Sequence, residues 1–280
     1  MWYNKFVFQI KLKKGLLKMK YLSDYHMHSK YSFDAVQTIE QAIKKAISMN
    51  ISEICLTEHI SFDPDDKSYN FFNFSDYERE INELSHKYQD SIKVKIGLEA
   101  GEIHLYNNEF NKFFRENNLD FIIGSIHNIN RLGLNTNLRE FGSSTTYKNY
   151  FNEVLTLASN SDFDVLGHLD LVQRYAFKTY GVYEFNTYKD IIHEILKTLI
   201  TNGKGIEVNT SGLKENLLFP KLEILQMYKD LKGEIITVGS DSHNYNRVGE
   251  NIENTYNLLK DIGFKYVFTF EKRQPKGISL

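Results

Sequence analysis

Apolar, β-rich runs alternate with segments of helical periodicity along most of the chain, and no Pro-, Gly- or Ser-rich linker interrupts them. Eight of these runs are typical of strands, namely residues 21–25, 53–57, 94–98, 120–124, 164–167, 205–208, 235–239 and 266–270. Such alternation indicates a mostly parallel sheet flanked by helices. Because no boundary divides the pattern, we expect one closed unit and favour an α/β barrel over an open doubly wound sheet.

Residues that begin or end helices lie between the strand-like runs. Ser75 and Glu78 have the spacing of a capping box, which predicts a helix from there to about Gln89. Pro220 suits the first turn of a later helix, and Gly263 suits the end of the last one. These residues support the prediction that helices lie between the strands.

The composition excludes several classes of protein. The 280 residues include 34 Lys+Arg and 36 Asp+Glu, a balance that argues against general binding of nucleic acids or membrane surfaces. The single cysteine, Cys55, excludes an intramolecular disulfide and a four-cysteine zinc site. No apolar stretch has the form of a signal peptide or the length of a membrane span. We therefore expect a soluble, cytoplasmic protein.

The basic first twenty residues differ from the rest of the chain in lacking the alternating pattern. We predict that residues 1–18 form a poorly ordered N-terminal extension and that residues 19–280 form a single folded domain. Met19 is an alternative start of the protein.

Nearly every strand-like run ends in a residue that can bind a metal ion. In chain order these residues are His26, His28 and the following Asp34, then His59, Glu99, His127, His168, Glu207 with Asn209, and Asp241 with His243. Side chains two apart on a strand share a face, so His26 and His28 point into one cavity, as do Asp241 and His243. The carboxyl ends of barrel strands converge on one mouth. Six of the 9 histidines would therefore gather there with several carboxylates.

A cluster of this kind is costly without cations, because desolvation and like-charge repulsion both oppose it. Neutral imidazoles and ionised carboxylates are common ligands of divalent metals such as Zn, Mn and Fe. The ligands outnumber those that one tetrahedral ion needs, so the sequence predicts two to three divalent ions. His86, His104 and His193 lie outside this pattern, and we interpret them as structural or surface residues.

The motifs DYHMHSKYSFDA, TEH, GLE, GSIH, GHLDLVQRY, EVNTSGL and GSDSH occur in this order from about Met19 to the C-terminus. In type, order and spacing they resemble the polymerase and histidinol phosphatase (PHP) family, in particular its stand-alone histidinol-phosphate phosphatase branch. The resemblance implies a distorted TIM-like (β/α)7 barrel with a three-metal centre. It implies one ion held by His26, His28, Glu99 and Asp241, a second by Glu99, His127 and His168, and a third by Asp34, His59 and His243.

The resemblance also implies a reaction, the hydrolysis of L-histidinol phosphate to L-histidinol and phosphate in histidine biosynthesis. A hydroxide that bridges the metal ions would attack the phosphorus. Arg174 and Arg247 would receive the phosphate, since a guanidinium fork matches its oxygens. We interpret Glu99, Asp241 and His243 as catalytic residues, and Asp241, His243 or a metal-bound water as the acid for the leaving group.

Glu207 and Asn209 share one face of the sixth strand-like run and point to the predicted mouth. We place both among the substrate-binding residues, where Glu207 would balance a cationic group of the substrate. The alternative for Glu207 is a partner that orients a ligand histidine.

Other functions are compatible with such a metal centre. A phosphodiesterase, such as a nuclease, should show a basic, aromatic groove, and the charge balance supplies no such signal. A phosphatase of another small phosphate ester is a further alternative. A metal-dependent amidohydrolase is a further alternative, but Arg174 and Arg247 argue against it because they favour an anionic ligand. An inactive barrel acting as a binding module would normally show gaps among the ligands. We expect no nucleic acid and no membrane as a partner, and the sequence does not indicate the oligomeric state.

Overall fold

The structure is a computed structural model that describes residues 21–280. Its strands are β1 (Ser23–Asp24), β2 (Glu53–Ile60), β3 (Lys93–Gly101), β4 (Phe121–Ser125), β5 (Asn128–Ile129), β6 (Leu132–Gly133), β7 (Val165–Leu166), β8 (Gly205–Asn209), β9 (Ile236–Gly239), β10 (Tyr266–Glu271) and β11 (Gln274–Ser279). Its α-helices are α1 (Ile39–Ser48), α2 (Phe74–Tyr88), α3 (Asn107–Glu116), α4 (Leu134–Asn160), α5 (Val172–Tyr180), α6 (Phe185–Thr201), α7 (Leu222–Asp230) and α8 (Ile252–Ile262).

Seven of the strands form one parallel sheet in the order β1-β2-β3-β4-β7-β8-β9. The two outer strands of this sheet meet. The Tyr25 amide donates to the Val238 carbonyl at 2.9 Å, and Met27 and Ser242 form a parallel bridge. These contacts close the sheet into a nearly complete barrel. The predicted single-domain α/β barrel with seven strands is therefore confirmed.

The helices pack on the outside of the sheet because their apolar residues recur at helical spacing. Helix α1 buries Ile39, Ala42, Ile43 and Ala46 against the sheet, the i, i+3, i+4, i+7 pattern of an amphipathic helix. Strand β2 is buried at nearly every position, as expected of a parallel strand with the barrel interior on one face and helices on the other.

Two of the predicted helix boundaries are wrong. Helix α2 begins at Phe74, where the Asn73 side chain accepts the amide of Asp76 at 3.1 Å, so Ser75 lies inside the first turn instead of capping it. Pro220 precedes α7, whose N-cap residue is Lys221. Gly263 ends α8 with a φ of 98°, a conformation that favours glycine, as predicted.

The eighth strand-like run is a strand, but it lies outside the barrel sheet. It forms β10, which pairs antiparallel with β11. Phe270 of this hairpin is buried against Phe121 and Tyr25 in a separate apolar cluster, and its amide donates to the Tyr25 hydroxyl at 2.8 Å. The hairpin thus covers the end of the barrel where the strands begin, opposite the predicted metal-binding residues.

Within residues 21–280, no helix is both long enough and apolar enough to cross a membrane. The predicted extension of residues 1–18 and the alternative start at Met19 lie outside the described residues, and the division at residue 19 stays a prediction.

We expect Phe270→Ala to lower the free energy of unfolding by about 3–5 kcal/mol, because the substitution leaves a cavity in the cluster that covers the barrel end. Tyr266, an exposed aromatic residue on the same strand, supplies the control. Tyr266→Ala should change the stability by only about 0.5 kcal/mol. Denaturant unfolding of the full chain measures both values, and a Phe270→Ala protein as stable as the wild type would contradict this role of the hairpin.

Candidate metal centre

The predicted ligands lie together at the carboxyl ends of the barrel strands. Seven of the nine line one cavity of about 520 Å³, namely Asp34, His59, Glu99, His127, His168, Asp241 and His243. The other two, His26 and His28, are completely buried, and their Nε2 atoms lie 3.1 Å apart. The fold therefore brings together side chains that are more than 200 positions apart in the sequence, from His26 to His243.

The carboxylate of Glu99 lies at the centre of the cluster. Its oxygens are 2.7–3.3 Å from ring nitrogens of His26, His28, His59, His127 and His168. Burial alone would raise the pKa of Glu99, but the imidazoles around it, His26 foremost, hold that pKa well below its usual range. Glu99 is thus kept as an ionised carboxylate inside the protein.

Asp241, two residues after the end of β9, lies near two of the same histidines. Its Oδ1 atom lies 3.6 Å from His26 Nε2 and 3.5 Å from His28 Nε2. The φ of Asp241 is 52°, in the left-handed region that few residues other than glycine adopt. The Asp241 amide donates to the His26 carbonyl at 2.7 Å, and this bond stabilises the unusual backbone. Strain of this kind is often found at functional sites, and here it accompanies a carboxylate directed at the histidines.

Asp34, His59 and His243 form the outer part of the cluster. The Oδ2 atom of Asp34 lies 3.3 Å from His243 Nε2 and 3.6 Å from His59 Nε2. Partial burial would raise the pKa of Asp34, but its bonds to these two rings hold the pKa well below its usual value. This side chain is more exposed than Glu99 and lies at the opening of the cavity.

Four groups of side chains have ligand atoms within 4.8 Å of one another in the described part of the chain. They are His28 with His59 and His243, His26 with Glu99 and His168, His26 with His28 and Asp241, and His59 with Glu99 and His127. These groups share members, so the geometry describes one continuous cluster. The assignment of individual residues to three separate ions stays a prediction.

The hydrogen bonds of the rings test whether the cluster suits cations. His26 Nδ1 lies 2.7 Å from Glu207 Oε1, and His243 Nδ1 lies 3.0 Å from the Asp241 carbonyl oxygen. A neutral imidazole has one N–H, so in the neutral form of each ring the Nε2 atom would carry a lone pair that a metal ion could accept. These Nε2 atoms face the carboxylate oxygens of Glu99 and Asp34, so either a cation or a ring proton must lie between each pair. Burial would lower the pKa of His26 and His243, but the surrounding carboxylates raise both, so protons take these places in the metal-free protein.

Protonation of all the rings would place several positive charges in one buried cluster. Burial, together with the charges of His59 and His243, lowers the pKa of His28 to about 4. At least this ring is therefore neutral near pH 7. The donor set, its burial and its lone pairs together fit divalent cations.

Two arginines lie beside the cluster, in an adjoining cavity of about 230 Å³ that Asp241 and His243 also line. The Nη2 atom of Arg174 donates to Asp241 Oδ2 at 3.1 Å and also to the Ser211 hydroxyl. The Nη2 atom of Arg247 donates to the Ser211 carbonyl at 3.0 Å. The predicted phosphate-binding pair is thus close to the predicted ligands.

Sequence reasoning did not single out Lys178 and Lys214, which line the same cavity as the arginines. It also missed Glu102, which is buried and accepts the amides of His127 and Asn128 at 2.6 and 2.8 Å. Neither lysine belongs to a motif. Glu102 follows β3 closely, and that position was the one available signal.

Glu207 and Asn209, which we predicted to bind substrate, are both buried behind the predicted ligands. Glu207 is buried, with one carboxylate oxygen on His26 and the other accepting the His168 amide at 2.8 Å. The Asn209 side chain accepts the Ser211 amide at 3.0 Å. Neither residue lines the two cavities described above. The structure favours the alternative for Glu207, a partner that orients ligand histidines.

Comparison with known proteins agrees with this geometry. Residues 24–211 match the PHP domain family. A histidinol-phosphatase of Lactococcus lactis is 33% identical over 257 residues, which cover 88% of this chain and 93% of that protein. A protein of Clostridium acetobutylicum named "Probable histidinol-phosphatase" is 33% identical over 260 residues, which cover 90% of this chain and 98% of that protein.

A solved structure shows the same fold. The crystal structure of histidinol phosphate phosphatase from Lactococcus lactis, complexed with zinc, L-histidinol and phosphate, matches with a TM-score of 0.85 and 31% identity. The match covers 91% of this chain and 98% of that one. The sequence similarity and the structural similarity thus point to the same family over most of the chain. This chain belongs to the PHP domain family.

Proposed function

We propose that this protein is a metal-dependent phosphomonoesterase that hydrolyses L-histidinol phosphate to L-histidinol and phosphate. The observation that carries the proposal is the position of Arg174 and Arg247 beside the histidine and carboxylate cluster, in a cavity that Asp241 and His243 share. Guanidinium groups next to a cluster of this kind are well suited to bind the oxygens of a phosphate ester. The relative that contains L-histidinol and phosphate supports this choice of substrate.

The centre would hold two to three divalent ions. Their ligands would be His26, His28, Asp34, His59, Glu99, His127, His168, Asp241 and His243. Zinc in the related structure favours Zn, and the same donors also accept Mn or Fe. Divalent ions held there would lower the pKa of a coordinated water towards neutrality and withdraw charge from the phosphoryl oxygens.

The arginines supply the remaining positive charge. Hydrolysis of phosphate monoesters is among the slowest uncatalysed reactions known, so strong stabilisation of developing charge is required. The Arg174 guanidinium lies over the Phe219 ring, 5.1 Å from its centroid, which holds the guanidinium in place. Arg174 and Arg247 both donate to Ser211, so one residue fixes the two cations relative to each other.

Asp241 links the arginines to the cluster, because one of its oxygens faces His26 and His28 and the other accepts from Arg174. Burial alone would raise the pKa of Asp241, but the charges of His26 and Arg174 hold it well below its usual range. Asp241 therefore stays ionised and can orient Arg174 towards a phosphate. We place Glu99, Asp241 and His243 as catalytic residues on these contacts.

The proposed reaction is tested by removing metal with a chelator and restoring it with Zn²⁺, Mn²⁺ or Fe²⁺. Phosphate release should be lost on removal and restored by at least one of these ions. The assay should compare L-histidinol phosphate, an aryl phosphate and a single-stranded oligonucleotide. We expect L-histidinol phosphate to react with the highest kcat/KM. Cleavage of the oligonucleotide alone would refute the proposal that L-histidinol phosphate is the substrate.

We expect Asp241→Asn to lower kcat by at least about 100-fold without unfolding the protein, because the substitution keeps the shape of the side chain and removes the charge between Arg174 and the histidines. Phosphate release and the melting temperature measure the two effects. Asp230→Asn, at an exposed position on α7, should leave both unchanged. An active Asp241→Asn enzyme would exclude the proposed role.

We expect Arg174→Ala to lower kcat/KM by about 100-fold, since it removes one donor to the phosphoryl group. The loss should be similar for L-histidinol phosphate and for an aryl phosphate, because the arginine contacts the part that they share. Arg115→Ala, at an exposed position on α3, serves as the control. A loss confined to L-histidinol phosphate would instead assign Arg174 to the organic part of the substrate.

A further inference from the structure

Glu58 is a fully buried carboxylate next to the predicted ligand His59, and the proposed reaction leaves it without a role. It does not line the cavity of the metal centre. One of its oxygens accepts the Ser29 hydroxyl at 2.6 Å, and the other accepts the Ser32 hydroxyl at 2.6 Å. The Ser29 amide also lies within 3.1 Å of both oxygens. The carboxylate is thus held by donors from Ser29 and Ser32.

Ser32 connects this carboxylate to two of the predicted ligands. Its Oγ atom accepts the His59 amide at 2.9 Å and lies 3.2 Å from His28 Nδ1. A serine hydroxyl has one proton to donate and two lone pairs that accept. The proton is used on Glu58, and one lone pair is used by the His59 amide. The remaining lone pair can only accept, so His28 Nδ1 must carry the proton.

This hydrogen bond decides which nitrogen of His28 is free. With the proton on Nδ1, the lone pair of the neutral ring lies on Nε2. That atom is 3.3 Å from Glu99 Oε2 and 3.5 Å from Asp241 Oδ1, inside the cluster. Without Glu58, the Ser32 proton would be free to bond His28 Nδ1 and would favour the opposite tautomer.

We propose that Glu58 and Ser32 are positioning residues that hold His28 in its Nδ1-protonated tautomer and so direct its Nε2 lone pair at the metal centre. We call the contacts from Glu58 through Ser32 to His28 the relay. Its purpose rests on the proposed metal-dependent function, whereas the tautomer of His28 is a property of the metal-free protein. His26 is oriented in the same sense by direct contact between its Nδ1 atom and Glu207. Partners of this kind commonly change metal affinity when they are removed.

Ser32 also fixes the two ligands relative to each other. The same hydroxyl that bonds the His28 ring holds the backbone of His59, and the two rings are stacked with centroids 4.1 Å apart. Loss of the hydroxyl should therefore disturb both ligands, while the rest of the cluster keeps its own supports.

The test uses the full chain with ¹⁵N-labelled histidine. The ring ¹⁵N shifts of metal-free protein report the His28 tautomer, and competition with a chelator reports the affinity for Zn²⁺ alone. We expect Ser32→Ala to remove the preference for the Nδ1-protonated form and Glu58→Met, which keeps the length of the side chain, to reverse it. Both should weaken Zn²⁺ binding by about 10–100-fold.

Two variants serve as controls. Ser32→Thr keeps the hydroxyl and should keep the wild-type tautomer, which separates the hydrogen bond from the mere presence of a small residue. Ser23→Ala removes another buried serine hydroxyl, one that bonds Tyr256 at 2.8 Å, and should leave the tautomer and the Zn²⁺ affinity unchanged.

An unchanged His28 tautomer in Ser32→Ala and Glu58→Met would overturn the relay. If Glu58→Met does not fold, as judged by circular dichroism, the comparison of Ser32→Ala with Ser32→Thr decides. A wild-type protein that binds no Zn²⁺, Mn²⁺ or Fe²⁺ would refute the proposed metal-dependent function, while the tautomer measured in metal-free protein would still decide the relay.

Discussion

One buried carboxylate, that of Glu99, organises the carboxyl end of this barrel. It lies within 3.3 Å of ring nitrogens from five histidines that come from four different stretches of the chain. An ionised carboxylate is stable inside a protein only when it is compensated by charge or by hydrogen bonds. The convergence of these rings on Glu99, and the lone pairs that several of them present, are best satisfied by cations shared among them.

The contacts behind the cluster are as specific as the cluster itself. His26 is held by Glu207, His28 by Ser32 and Glu58, and His243 by the carbonyl of Asp241. In each case the bond occupies one ring nitrogen and leaves the other free for a ligand role. The protein thus uses a carboxylate, a hydroxyl and a backbone carbonyl for the same physical purpose, which is to choose a tautomer.

The barrel explains why the two halves of the site are adjacent. The segment after β9 brings Asp241 to the two histidines that follow β1, because the first and last strands of the sheet meet. The same closure brings Arg247, shortly after β9, next to Arg174 at the start of α5, and Ser211 after β8 bonds to both. The predicted metal ligands and the two arginines proposed to bind phosphate therefore share one opening.

The alternation of strands and helices and the candidate metal ligands at the strand ends could be predicted from the sequence, because each depends on local spacing and on where a strand stops. The sequence could not show that the run at 266–270 folds back as a hairpin over the barrel, since strand propensity does not specify the pairing partner. Nor could it separate the two roles considered for Glu207, or reveal the link from Glu58 through Ser32 to His28. Those features depend on which side chains meet across the barrel, and only the tertiary structure decides such contacts between distant residues.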